Sequence, residues 1–116
     1  MKPGLTFADN RVGSVHVLKV GGFLDGHTAV ELERKLGDVM KAGINRLVID
    51  LSTLTYIASA GVGVLINIQH QAKKAGGGMN LVNPSPSVRE IFSILGLETI
   101  LEIYASVDEG VSAATK

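Results

Sequence analysis

The 116-residue sequence contains no cysteine and no tryptophan, and only 4% of its residues are aromatic. The absence of cysteine excludes disulfides, thiolate nucleophiles and zinc sites built on cysteine, and it is typical of proteins that work in a reducing cytosol. Hydrophobic residues make up 46% of the chain. A domain of this length buries about 65% of its unfolded-chain surface, which is enough for stability without metal ions or covalent cross-links. We therefore predict a cytoplasmic protein with one apolar core.

The chain also lacks an excess of either charge and lacks a long apolar run. Its 11 basic and 11 acidic residues are dispersed, so no basic stripe indicates nucleic-acid binding, and proteins are the expected partners. The longest apolar run, 60–66, ends at Asn67 and is far shorter than the roughly 20 residues of a membrane helix. The first residues lack the apolar stretch of a signal peptide. Neither a membrane span nor secretion is predicted.

Strand and helix patterns alternate along the chain with short connections, which predicts one α/β domain over residues 1–116. The count is about five strands and about four helices. The predicted strands lie near 5–7, 15–20, 46–51, 79–82 and 101–104, and the predicted helices begin near Thr28, Ala60, Ser85 and Ser106. The run Val48-Ile49-Asp50-Leu51 is apolar enough for a strand covered on both faces.

Local signals set the ends of these elements. Asp9-Asn10 predicts the turn of an N-terminal hairpin. Thr28 with Glu31, and Ser106 with Glu109, have the spacing of capping boxes, in which two side chains satisfy free amides at a helix start. Ser85 followed by Pro86 predicts another helix start.

Glycines predict where helices stop. Gly43 and Gly96 suit left-handed positions just after a helix, and Gly76-Gly77-Gly78 is expected to end the second helix. A phosphate-binding loop would instead follow a strand, precede a helix and carry a Lys-Ser/Thr pair. The glycine tract lacks that context and is interpreted as a plain turn.

The sequence offers few groups for metal binding or catalysis. His16, His27 and His70 do not have the spacing of metal ligands, so neither a metal nor a cofactor is predicted. A hydrolase reading would make Ser59 the nucleophile and His27 its base, with Asp25 or Asp50 as the orienting acid. The Gly-x-Ser-x-Gly elbow of such enzymes is absent, because Ile57 and Ala58 precede Ser59. The protein is therefore not predicted to be an enzyme.

Ser59 stands between a small-residue turn and the second helix, where two roles are compatible. As an N-cap, its hydroxyl would satisfy a free amide and contribute about 1 kcal/mol. As a phosphorylation site, it would place about −1.5 to −2 charges at the positive end of a helix, which tolerates them without unfolding. A modification there changes the surface and leaves the fold intact.

Several segments, in order over nearly the whole chain, resemble one protein family. They are Gly22-Phe23-Leu24-Asp25, Thr28-Ala29-Val30-Glu31-Leu32, Leu47-Val48-Ile49-Asp50-Leu51-Ser52, Ser59-Ala60-Gly61-Val62-Gly63-Val64-Leu65, and Leu81-Val82-Asn83-Pro84 followed by Val88 and Gly96-Leu97. The sequence is thus similar to the STAS domain family, in particular to bacterial anti-sigma factor antagonists. The resemblance implies a mixed sheet of about four to five strands with helices packed on it, that is, a single STAS-like domain.

The resemblance also implies a partner-switching role. In that family the unphosphorylated antagonist binds an anti-sigma factor of the histidine-kinase-like ATPase class and displaces the sigma factor. The kinase phosphorylates a serine at the start of the second helix, which Ser59 matches, and a PP2C-type phosphatase reverses the reaction. The implied partner-binding residues are Asp25, Gly26, His27, Thr28, Tyr56, Ala58, Ala60, Gly61, Gly63 and Asn67.

The chain departs from the family pattern beside this serine. Many members have an aspartate before it and often a serine after it, whereas Ala58 and Ala60 stand here. Asp25, which matches an acidic loop residue of the family, could supply part of the missing carboxylate's role. One alternative is a constitutive STAS interaction subunit of a transporter complex or signalling scaffold, with Ser59 only a cap. A small enzyme using Ser59 is the other.

Overall fold

A computed structural model describes residues 4–115 as a mixed sheet with four helices. The strands are β1 (Leu5–Val12), β2 (Val15–Leu24), β3 (Arg46–Asp50), β4 (Leu54–Ile57), β5 (Gly78–Val82) and β6 (Glu102–Tyr104). The helices are α1 (Ala29–Lys41), α2 (Ser59–Lys74), α3 (Pro86–Ile94) and α4 (Val107–Ala114), with a short 3₁₀ turn at Leu97–Thr99. The α/β class is confirmed, and the strand that the sequence did not predict is β4.

The sheet has the order β1-β2-β3-β5-β6, with β4 also paired to β2. β1 runs antiparallel to β2, and the other pairs are parallel, so the sheet is mixed as expected. β3 pairs with 16–19 of β2, and β4 pairs with 22–24 of the same strand. β4 therefore lies on the same side of β2 as β3, farther along that strand, and it leads directly to α2.

Helices cover both faces of the sheet. The larger core joins α1, α2 and α3 to one face, with Leu18, Leu47 and Phe92 fully buried in it. α4 packs on a smaller cluster of valines on the other face, including Val48. The apolar run 47–49 is completely buried because helices lie on both sides of β3, which confirms its interpretation as a covered strand.

The predicted Asp9-Asn10 turn is wrong. Both residues lie within β1, and the strands pair until Val12 faces Val15. The hairpin instead turns at Gly13-Ser14, where Gly13 adopts a φ of 61°. Short hairpin connections need such positive φ values, which glycine reaches without steric cost.

Asp9 ties β1 to β2 and α1. Its carboxylate accepts from Lys35 Nζ and from His16 Nε2, each at 2.8 Å. The hydrogen bond from Lys35 lowers the pKa of Asp9 below its ordinary 3.8; burial opposes this effect, and the hydrogen bond from His16 adds to the lowering. The ionised carboxylate thus contributes to the stability of the folded state.

We expect Asp9→Asn to lower the free energy of unfolding near neutral pH by up to about 1 kcal/mol, as for an exposed ion pair. The folded-state pKa lies below the unfolded one, so this contribution is fully present above the unfolded value of 3.8 and is lost as pH falls through the folded value. Urea unfolding near pH 7 and near pH 3 measures the difference. An equal loss at both pH values would contradict the assignment.

The glycine stops are formed as predicted. After α1, Gly43 has a φ of 91°, its amide donates to Met40 O at 2.9 Å, and the Ile44 amide donates to Val39 O at 3.4 Å. The same arrangement follows α2, where Gly76 has a φ of 94°. These paired bonds satisfy carbonyls that a helix end otherwise leaves free. Gly76-Gly77-Gly78 is therefore a helix stop leading into β5, as interpreted.

The predicted start of α4 is also correct. The Glu109 amide donates to Ser106 Oγ at 3.2 Å, and the Glu109 carboxylate accepts from the Ala105 amide at 3.3 Å. Ser85 occupies the N-cap position of α3 with Pro86 next, but its hydroxyl donates to Leu54 O at 3.0 Å rather than capping the helix. That bond ties the start of α3 to β4.

Candidate functional site

The ends of β2 and β4 bring two distant segments together. Leu24 and Ile57 are partners in the parallel pair, and the Ala58 amide donates to Leu24 O at 2.8 Å. The loop 25–28, which follows β2, therefore lies beside Ser59, which follows β4. These segments are separated by more than a helix and a strand in sequence, and the pairing of β4 with β2 makes them one site.

Thr28 holds the loop in one shape. Its side chain is buried, its hydroxyl donates to Phe23 O at 2.7 Å, and the same oxygen accepts from the Asp25 amide at 2.8 Å. Asp25 Oδ1 accepts from the amides of His27 and Thr28 at 2.9 and 3.1 Å. The predicted capping box with Glu31 is wrong, because the Thr28 hydroxyl is engaged with the loop and makes no bond to the helix. Thr28 thus positions the loop and is not itself exposed to a partner.

Ser59 is the first residue of α2, not its N-cap as predicted. Ala58 occupies the cap with extended dihedrals (φ −103°, ψ 168°) and has no side chain with which to cap. Its carbonyl accepts from the amides of Gly61 and Val62. Within residues 4–115 the Ser59 hydroxyl forms no hydrogen bond, and the side chain is exposed. The helix therefore presents a free hydroxyl at its positive end.

The two glycines after Ser59 differ in their surroundings. Gly61 is buried, and a Cβ built there would collide with the Leu24 side chain. Gly63 is exposed, and a Cβ there would meet no atom within 4 Å. Gly61 thus lets α2 approach the end of β2, whereas Gly63 lies on the outward side of the helix, as do Ala60 and Asn67.

An aromatic pair lies on the strands that lead into the site. Phe23 of β2 and Tyr56 of β4 have ring centroids 5.9 Å apart, and 38% and 45% of their respective surfaces are exposed. Tyr56 is one of the contact residues predicted from the sequence, and Phe23 is not. Alternation along β2 could have revealed it, since Leu24 points into the core and Phe23 consequently points out. Large exposed aromatics are frequent anchors of protein interfaces.

We call the exposed group around the serine the Ser59 surface. It consists of Phe23, Gly26, His27, Tyr56, Ser59, Ala60, Gly63 and Asn67. Of the other predicted contact residues, Asp25 and Ala58 are half-buried at its margin, and Thr28 and Gly61 are buried beneath it. The last two support the surface and do not offer side chains to a partner.

A family model described as the STAS domain matches residues 7–110. The chain belongs to the STAS domain family. BtrV of Bordetella bronchiseptica is 31% identical over 107 residues, which are 92% of this chain and 91% of that protein. The anti-sigma-B factor antagonist of Bacillus subtilis is 33% identical over 94 residues, 81% of this chain and 85% of that protein.

Solved structures agree with this assignment. An anti-sigma factor antagonist from Mycobacterium paratuberculosis superposes with a TM-score of 0.87 at 28% identity, covering 97% of this chain and 95% of that one. Within the STAS family the chain thus groups with anti-sigma factor antagonists, which are regulatory proteins and not enzymes.

The groups named for the hydrolase alternative do not form a triad among the described residues. No hydrogen bond joins the side chains of Ser59 and His27 among the described residues, and Asp50 Oδ1 accepts from the Ser52 amide elsewhere. In residues 4–115 no group of three or more His, Asp or Glu side chains is placed to hold a metal ion. None of the helices there has the length and apolar content that a membrane span requires. The site offers a contact surface and one free hydroxyl.

Proposed function

We propose that this STAS domain is a cytoplasmic anti-sigma factor antagonist that binds an anti-sigma factor of the histidine-kinase-like ATPase class through the Ser59 surface. Phosphorylation of Ser59 by that kinase releases the complex, and a PP2C-type phosphatase restores it. The observation that carries the proposal is the exposed, unbonded hydroxyl of Ser59 beside a loop held by Thr28. The relatives named as anti-sigma factor antagonists support the choice of partner.

The geometry suits transfer of a phosphoryl group to Ser59. The hydroxyl oxygen attacks the γ-phosphorus of ATP, the bond to the β-phosphate oxygen breaks, ADP leaves, and the hydroxyl proton passes to a base. Ala58 stands where many relatives have an aspartate, and Asp25 Oδ1 is engaged by the loop amides, so the kinase supplies that base. Within the described part of the chain, no hydrogen bond of the Ser59 hydroxyl has to break first.

The product state is compatible with the fold. A phosphate on Ser59 lies at the start of a helix of 16 residues, where the macrodipole favours negative charge. Among residues 4–115 the Ser59 and Ala60 amides have no backbone acceptor, and they can donate to the phosphate. The switch therefore acts on the partner, because a doubly charged group in a protein interface must be desolvated or opposed.

Incubation with the cognate anti-sigma factor kinase and ATP is expected to add one phosphate to the full chain. Mass spectrometry of the peptide is expected to place it on Ser59, and Ser59→Ala is expected to abolish the reaction. Ser87→Ala is the matched control, because Ser87 is an exposed serine in the first turn of α3. A phosphate that persists in Ser59→Ala would show that another residue is modified.

One observation favours a second candidate, a constitutive STAS interaction subunit of a transporter complex or signalling scaffold. Ala58 and Ala60 remove the polar neighbours that the switching relatives carry. The surface would then bind its partner permanently, with Ser59 unmodified. This candidate predicts that the kinase does not modify Ser59. It also predicts that the protein captures a transporter subunit and not a kinase in a pull-down.

A further inference from the structure

A polar cavity of about 280 Å³ lies at the far end of α2 from the Ser59 surface. The last turns of α2 and α4 and the first residues of β3, β5 and β6 enclose it. The lining residues that matter here are Arg46, Gln69, Lys73, Gly78, Glu102 and Tyr104. Gln69 and Lys73 follow Ser59 on α2 by 10 and 14 residues, so at about 1.5 Å per residue the cavity lies about 15–21 Å along the helix from Ser59.

Gln69 presents an unpaired donor to this cavity. The residue is only 5% exposed, and its Oε1 accepts from the Met79 amide at 2.5 Å. That amide needs the side chain because pairing of β5 with β6 begins only at Asn80 and Glu102. The Nε2 group of the same carboxamide has no hydrogen-bond partner within residues 4–115. Solvent reaches this Nε2 group, since His16 Nδ1 is the only buried polar side-chain atom without a partner in residues 4–115, so the donor is open to an acceptor that enters the cavity.

Two cations line the same cavity without a counter-ion. Neither Arg46 nor Lys73 forms an ion pair among the described residues, where Asp9 is the only acid in such pairs. Burial, followed by the charge of Glu102 and a side-chain hydrogen bond to it, raises the pKa of Tyr104, so the phenol keeps its proton and directs it to Glu102. The donors thus outnumber the single carboxylate of Glu102, which can itself accept from a ligand hydroxyl.

We propose that this cavity binds a small hydroxylated organic anion, a phosphate ester or a hydroxycarboxylic acid. Its anionic group is held by Arg46 and Lys73 and accepts from Gln69, and its hydroxyl donates to Glu102. The cavity volume is near the lower end of known ligand pockets, which suits a ligand of few atoms. The site is separate from the Ser59 surface.

Gly78 provides a way to block the cavity. A Cβ built on Gly78 meets no atom within 4 Å, and the residue lies in β5 next to Arg46 of β3 with no positive φ. Valine at this position is expected to keep the strand and occupy the cavity. Gly77 does not offer the same choice, because a Cβ there would collide with the carbonyl of Asn45.

Nuclear magnetic resonance titration of the labelled full chain tests the proposal with two probes, glycerol 3-phosphate and, separately, malate. Saturable shifts are expected at the Gln69 side-chain amide and at residues 76–80, and not at residues 58–63. The probe that saturates at the lower concentration identifies the phosphate or the carboxylate class. Absence of saturable shifts with both probes, or shifts centred on residues 58–63, would overturn the proposal.

Three variants sharpen this test. Lys73→Gln is expected to raise the dissociation constant at least about tenfold, since it removes a charged hydrogen-bond donor. Gly78→Val is expected to abolish the shifts while its spectrum stays folded. Lys74→Gln is the matched control, because Lys74 is an exposed neighbour that does not line the cavity. An equal loss of affinity in Lys73→Gln and Lys74→Gln would show diffuse surface attraction and refute the site.

Discussion

Ser59→Asp is expected to weaken binding to the cognate anti-sigma factor by about a hundredfold, whereas Ser59→Ala is expected to bind as tightly as the natural chain. Ser59 is exposed on the surface that we assign to the partner, close to Phe23 and Tyr56 on the neighbouring strand ends. A carboxylate buried there in the complex loses its hydration without a prepared counter-charge. Alanine removes only a hydroxyl that makes no hydrogen bond within residues 4–115.

The loss of binding can be separated from a loss of folding. An acid in the first turn of α2 interacts favourably with the helix dipole, and α2 has no acid in that turn, so Ser59→Asp is expected to unfold no more easily than the natural chain. Ser87→Asp is the matched charge control in the first turn of α3, outside the Ser59 surface. Isothermal titration with the anti-sigma factor and thermal unfolding of each variant give the two readouts.

Equal binding by Ser59→Ala and Ser59→Asp would refute the switch. That result would leave the constitutive interaction subunit as the supported function, because the surface would then tolerate charge at Ser59. Weakening by Ser87→Asp to the same degree would show that the assigned surface is in the wrong place.

Gly61→Ala is expected to lower the free energy of unfolding by about 1–3 kcal/mol, the usual cost of overpacking a core. The added Cβ would collide with Leu24, whose Cδ2 would be 2.8 Å away, and would press on Ile57 Cγ1 at 3.3 Å. Leu24 is completely buried and Ile57 is 2% exposed, so neither side chain has room to retreat. The start of α2 must then move away from the end of β2.

Gly63→Ala is the matched control and is expected to change stability in the opposite direction. Its Cβ would meet nothing within 4 Å, and alanine is favoured over glycine inside a helix, which predicts a gain of about 0.4–1 kcal/mol. Urea unfolding of both variants measures the two free energies. If Gly61→Ala were as stable as Gly63→Ala, the close approach of α2 to Leu24 would not be required by the fold.

The same pair of variants also tests whether the Ser59 surface contacts the anti-sigma factor. Gly63→Ala adds a methyl group on the outward side of α2 without disturbing the core. A drop in affinity for the anti-sigma factor with a gain in stability would therefore identify direct contact at Gly63. Gly61→Ala changes both properties together, because it shifts the helix that carries Ser59.

Two segments with the same capping pattern show where local reasoning succeeds and fails. At the start of α4 the Glu109 amide donates to the Ser106 hydroxyl as predicted, and the Glu109 carboxylate reaches back to the Ala105 amide, one residue before the predicted one. Thr28 and Glu31 have the same spacing, but the carbonyl of Phe23 and the amide of Asp25 engage the Thr28 hydroxyl. The pattern is local, and its outcome depends on which backbone groups tertiary structure places nearby.

The strand β4 is the largest omission of the sequence analysis. Only four residues long, with its central pair exposed, it lacks the apolar signal that marked β3. It nevertheless ends beside β2, and this places the loop 25–28 next to Ser59. The partnership of Phe23 with Tyr56 also depends on this pairing and could not be predicted without it.

Apolar periodicity and glycine positions act over a few residues, and they were sufficient to predict the α/β class, the four helices, the glycine helix stops and the covered strand β3. The resemblance of several segments predicted the family. Contacts between distant segments place Ser59 at the first position of α2 with an exposed hydroxyl and bury Thr28 and Gly61 beneath the Ser59 surface. They also bring Arg46, Gln69 and Lys73 to one cavity. These features arise where strands and helices from distant parts of the chain meet, and the choice of hydrogen-bond partner there depends on three-dimensional neighbours that no local pattern encodes.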